Sequence, residues 1–78
     1  VCAYPPLALA RRLEGSVLLE LLIDEQGAVA TARVVRPAEP FTEAALKCVA
    51  KWRHRPATRG GVPVRVTLEV PVTFRLPR

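Results

Sequence analysis

The stretch VPVRVTLEVPVTFRL, Val62 to Leu76, constrains the fold more than any other part of the chain. Its even-numbered residues are all large and apolar: Val62, Val64, Val66, Leu68, Val70, Val72, Phe74 and Leu76. The positions between them hold Pro63, Arg65, Thr67, Glu69, Pro71, Thr73 and Arg75. A period of two held for fifteen residues predicts one long strand with one apolar face. Proline has no N–H for a sheet ladder and is confined to edges, strand starts and bulges. Pro63, Pro71 and Pro77 share one parity, so in a regular strand their missing donors all fall on the same side. The even residues remain free to bond to a neighbouring strand. The segment therefore reads as an edge strand with an open outer side, unless a β-bulge near Pro71 shifts the parity beyond Val70.

The remaining composition sets bounds. A chain of 78 residues, half of them hydrophobic, is enough for one domain, residues 1–78, close to the margin of independent stability. It contains no run of 18 apolar residues and no signal-peptide pattern, so no spanning helix is expected. It begins without Met, and the expectation is a piece of a longer protein. The net charge is +5, and the basic residues are scattered except at Lys51-Trp52-Arg53-His54-Arg55. That cluster reads either as a solvated helix end or as a meeting point for an acidic partner or phosphates. Cys2 and Cys48 lack CxxC spacing, and one His is too few for a zinc set. They are either a disulfide or two unrelated thiols.

Along the chain, Tyr4-Pro5-Pro6 is an extended entry, with Pro6 suited to the first position of a helix. The segment PLALARRLEG then predicts a short helix with Leu7, Ala10 (or Ala8) and Leu13 on one face, stopped by Gly15. SVLLELLID predicts a strand with Val17, Leu19, Leu21 and Ile23 inward and Leu18, Glu20 and Leu22 on the other face. Apolar character on both faces suits a central position. The turn Asp24 to Gly27 joins it to AVATARVVR, a second strand with Ala30, Ala32 and Val34 on one face. After the linker Pro37 to Pro40, FTEAALKCVAKW predicts a helix with Thr42 as N-cap and a stripe of Phe41, Ala45, Cys48 and Trp52, widened by Leu46 and Val49. Pro56 ends that helical region, and Arg59-Gly60-Gly61 is a turn. The expected fold is α+β with element order α-β-β-α-β, a three-stranded antiparallel sheet of order 2-1-3 and two helices on one face.

With that order, the chain resembles the C-terminal domain of TonB-type energy transducers. The matching residues are YPPLA at Tyr4 to Ala8, EGSVLLELLIDEQGAVATARVVR at Glu14 to Arg36, TEAALKCVAKWRHRPA at Thr42 to Ala57, and VPVTFRL at Val70 to Leu76. His54 stands where the family usually has Phe or Tyr, the linker Pro37 to Pro40 is shorter than usual, and the cysteines are not family hallmarks. The resemblance implies a periplasmic domain, held by an absent N-terminal segment to the inner membrane and its proton-driven motor. Its partner would be an extended "TonB box" segment of an outer-membrane receptor, added as a strand. TonB-like domains also serve motility and secretion machines, where the partner would be another envelope protein.

No catalytic constellation, cofactor motif or metal-ligand spacing is present, and the chain is not expected to be an enzyme. The partner-binding candidates are Arg65, Thr67, Glu69, Thr73 and Arg75 on the edge strand, where β-augmentation would use the main chain. Tyr4 and Pro5 join them as residues that the family places beside an incoming peptide; from the residues alone they equally form a clasp for the first helix. A nucleic-acid partner is not expected. An RNA-binding surface needs stacking aromatics, and of Tyr4, Phe41, Trp52 and Phe74 three look buried. Asp24 and Glu25 read as a solvated hairpin tip, and His54 as an aromatic stand-in at the helix exit.

Overall fold

The computed structural model describes residues 2–77. Helix α1 (Pro6–Ala10) leads into strand β1 (Gly15–Ile23), which pairs with β2 (Val29–Arg36). Helix α2 (Thr42–Val49) follows, then β3 (Ala57–Arg59), β4 (Val62–Val64) and β5 (Val66–Phe74). The main sheet is antiparallel with order β2-β1-β5. The doubly apolar first strand is central and the last strand is an edge, as the alternation requires. The helices share one core with the inward row of β1, so both lie on one face. That core holds Val17, Leu19, Leu21 and Ile23 from β1, Val72 and Phe74 from β5, Phe41, Ala45 and Val49 around α2, and Ala8 from α1.

The fifteen-residue strand is broken. Val62–Val64 folds back on Ala57–Arg59 as a separate two-stranded hairpin, and Arg65 lies between it and β5. Gly60 and Gly61 both have positive φ, 57° and 82°, the primed-turn geometry that closes a two-residue hairpin loop. Alternation runs unbroken through β4 and β5, so the pattern carries no sign of the change of partner. Within β5 the register to β1 is regular from Gly15↔Phe74 to Ile23↔Val66, and there is no bulge at Pro71.

The irregularities lie on the other side of β1. Register shifts between Leu18 and Leu19, and between Leu22 and Ile23, leave Val35 and Ala30 as extra residues in β2. Ala30, expected inward, is therefore exposed, and Val29 packs on the core with Ala32 and Val34.

The first helix is shorter than its pattern. Only Ala8 is buried; Leu7 and Leu9 are each 52% exposed and Leu13 38%. Gly15 is not the helix stop. The chain reverses at Arg12, whose φ is 55°. Arg12 N–H bonds to Leu9 O at 3.1 Å and Leu13 N–H to Ala8 O at 2.9 Å, the paired bonds of a Schellman cap. Gly normally fills that left-handed position. Arg12→Gly is expected to raise stability by about 1 kcal/mol, seen as a thermal midpoint several degrees higher. An unchanged or lower midpoint would show that the Arg12 side chain contributes something its exposure hides. Gly15 instead opens β1 beneath Phe41, where a Cβ would sit 2.8 Å from Phe41 Cδ2.

The second helix is also trimmed. Thr42 is not its N-cap: Phe41 takes that place, and Thr42 Oγ1 accepts the Ala38 N–H at 3.0 Å. The buried stripe is Phe41, Ala45 and Val49, at i, i+4 and i+8. Trp52 lies beyond the helix end and is half-buried at the core margin.

A candidate edge for strand recruitment

Among the described residues, no strand lies beside β5 on the side away from β1. Pro71 faces Leu18 in the regular register and cannot donate to it. The bonded pairs to β1 therefore fall to the even residues of β5, and the odd residues turn N–H and C=O outward. Thr67, Glu69 and Thr73 lie on this outer row, with Arg65 just before the strand and Arg75 just after it. The side chains of Thr67, Glu69 and Thr73 belong to the sheet face opposite the helices. The Ser16 and Thr73 hydroxyls meet there at 3.2 Å across a facing pair.

Two ion pairs on this side were not legible in the sequence. Arg65 Nε donates to Glu25 Oε1 at 3.1 Å, so the hairpin tip is tied to the start of β5 rather than merely solvated. Glu25's own backbone N–H, and then the Arg65 guanidinium, hold its carboxyl below the usual carboxylate range. Arg33 Nε donates to Glu20 Oε1 at 3.1 Å across β1 and β2. The hydrogen bond from Arg33 is the main reason that the Glu20 carboxyl is lowered. The only signal for the second pair was a charged residue between Leu18 and Leu22 in an otherwise apolar strand. Its partner depends on register. The neighbouring carboxylate Asp24 makes no metal cluster; its Oδ1 accepts the N–H groups of Gln26 and Ala28, at 2.9 and 3.0 Å, which shapes the turn. Among the described residues no group of three or more His, Cys, Asp or Glu could hold a metal.

The far end of β5 is fixed from both faces. Glu14 Oε2 accepts the Leu76 N–H at 2.8 Å. Below, the Phe74 ring stacks on Phe41 at 4.8 Å between centroids, and Tyr4 meets both rings edge-on at 5.7 and 5.8 Å. The Tyr4 hydroxyl donates to the Leu13 carbonyl, and burial followed by the Glu14 charge pushes its pKa up. Tyr4 is thus a clasp between the chain entry, α1 and the end of β5.

Tyr4 and Pro5 also line a groove of about 660 Å³ against the outer side of α2, with Pro6, Lys47, Cys48 and Trp52. Cys2 and Cys48 form a disulfide that staples this entry segment to α2. The predicted residues therefore fall into two groups: the outer row of β5, and the groove, which Tyr4 joins to the core through Phe74. His54 lies beside Trp52 at 6.0 Å between ring centroids, and its backbone N–H donates to Gly27 O at 2.8 Å. No helix among the described residues is long and apolar enough to cross a membrane.

The comparisons with known proteins agree with this architecture. Residues 2–76 match the family model described as the Gram-negative bacterial TonB protein C-terminal. The chain is 31% identical over 75 residues to "Protein TonB" of Vibrio cholerae serotype O1, covering 94% of this chain and 31% of that protein. It is 35% identical over 75 residues to "Protein tonB2" of Pseudomonas aeruginosa, covering 94% of this chain and 28% of that protein. The chain spans about a third of the length of these curated relatives.

Proposed function

We propose for this chain, which belongs to the Gram-negative bacterial TonB C-terminal family, the role of a periplasmic binding module that captures an extended segment of an outer-membrane receptor and passes on force from an inner-membrane proton-driven motor. The observation that carries this reading is the outer side of β5: nine residues in regular register, with no strand beside them among the described residues. The opposite edge of the sheet supports it by contrast. β2 carries two extra residues, and bulges of this kind bend a strand and spoil its pairing. Recruitment by main-chain hydrogen bonds would use the outward groups of Thr67, Glu69 and Thr73. Arg65, Arg75 and the clasp residues Tyr4 and Pro5 would flank the added strand. The Cys2–Cys48 disulfide agrees with an oxidising compartment such as the periplasm.

The test is a titration of the labelled chain with synthetic peptides of the TonB-box type, followed by amide NMR shifts. Shifts should concentrate on Thr67 to Thr73. Thr67→Pro removes one outward donor while leaving the bonds to β1, as Pro71 already does. It should weaken binding by roughly tenfold, the order expected from one unmatched hydrogen bond, with little change in unfolding midpoint. Tight binding with shifts that avoid β5 would sink the reading.

A further inference from the structure

If β5 recruits a strand, its side chains decide which strand, and this inference rests on that reading. On the sheet face opposite the helices, Glu20 of β1 stands directly across from Arg33 of β2 on one side and Glu69 of β5 on the other. The row across the sheet is thus cation, anion, anion. Arg33 is committed to Glu20 by a bond of 3.1 Å. Among the described residues no cation lies within ion-pair distance of Glu69. Arg33 feels Glu69 only through space, as a minor cause of its raised pKa beside the dominant bond from Glu20.

Opposite charges facing each other across a sheet stabilise the pairing, and like charges weaken it. The Glu20–Glu69 step is therefore an unbalanced one, and it lies at the strand whose outer side is open. The adjacent β1–β5 steps on this face, Leu22↔Thr67 and Leu18↔Pro71, are neutral, and the nearest cation in those rows, Arg36, lies across Leu18 on the far strand β2. Glu69 is the one charged residue within Val66–Phe74, and it is exposed. A fourth strand along β5 would bring one residue beside it on the same face.

We infer that the β5 edge selects an extended segment that carries Lys or Arg at the position facing Glu69. A cation there completes an alternating row from β2 to the recruited strand: Arg33, Glu20, Glu69, cation. The row also fixes the register. One residue shifted along, the incoming cation faces away; two along, it faces a neutral Thr67 or Pro71.

The experiment uses the chain and one TonB-box-type peptide in which a single Lys, and separately a single Glu, is walked through successive positions. Affinity is measured at low salt, and amide shifts report the site. One position should prefer Lys over Glu by roughly tenfold, the span of two cross-strand charge terms, and the preference should shrink as salt is raised. Glu69→Gln should flatten that preference and Glu69→Lys reverse it, with both variants keeping the amide spectrum of the folded chain. Shifts on Thr67 and Thr73 with no position preferring Lys, or a preference that survives Glu69→Gln, overturn the inference and leave the edge reading standing. Shifts that avoid β5, or no binding by any peptide of the series, overturn both.

Discussion

Replacing Gly27 by Ala is expected to cost this domain about 3 kcal/mol or more, combining a left-handed backbone penalty with forced overpacking. Gly27 has φ of 84°, in the region that only glycine enters freely. The space is closed as well: a Cβ there would lie 1.9 Å from the His54 carbonyl oxygen, a backbone atom. That backbone cannot simply step aside. The His54 N–H donates to Gly27 O, and Ala28 bridges to Arg53, so the segment after α2 is laced to the β1–β2 hairpin at this point. A domain of this size has a total stability of about 4–12 kcal/mol, so the loss removes a large share of it. The thermal midpoint should fall by more than about 10 °C. Gly60→Ala is the internal control. Gly60 also has positive φ, 57°, but a Cβ there meets nothing within 4 Å, so only the backbone penalty of about 1 kcal/mol should appear. Equal losses at the two positions would mean that the contact between Gly27 and His54 is not tight.

Opening the Cys2–Cys48 bridge is expected to cost about 4 kcal/mol, the chain-entropy value for a loop of this size. The two cysteines are 46 positions apart, and the bridge encloses α1, β1, β2 and most of α2. Few other contacts hold the entry segment, since Ala8 is the one buried residue of α1 and Tyr4 provides the main packing. Urea unfolding with and without dithiothreitol should show the difference, and the double variant Cys2→Ser/Cys48→Ser should match the reduced protein. Mass after alkylation confirms the redox state. Coincident unfolding curves for oxidised and fully alkylated protein would refute the expected contribution.

Much of the fold was legible because it follows from composition and alternation along single segments. Leu18 and Leu22, apolar on the face away from Val17, Leu19, Leu21 and Ile23, asked for a central strand, and β1 is central. Pro71 asked for an edge, and β5 is an edge; Pro63 fell in the β3–β4 hairpin and Pro77 beyond the strand, so the shared parity of the three prolines was not a property of one strand. The Gly-rich turns fell where expected. The misses have a common origin. Alternation across Val62 to Leu76 is the same whether the partner is β1 or a local hairpin, so the break at Arg65 left no trace in the pattern. Leu7 and Leu13 lie at helical spacing, but the chain turns at Arg12 before Leu13 can continue the helix, and in the short helix only Ala8 reaches the core. Thr42 has the chemistry of a cap, yet its hydroxyl is taken by Ala38.

For the candidate site, the order of strands and the edge position of β5 could be read from Pro71 and from side-chain alternation, because both are properties of a single segment; that the outward residues meet a partner is the proposal. That Ala30 and Val35 are extra residues in β2, that Glu25 holds Arg65, and that Glu20 faces Glu69 beside Arg33 emerged only when the strands were brought together. All three depend on register and on long-range contact. Glu20 and Glu69 are far apart in the chain, and their pairing is set by how the buried rows of β1 and β5 interlock beneath Phe41, Ala45 and Val49.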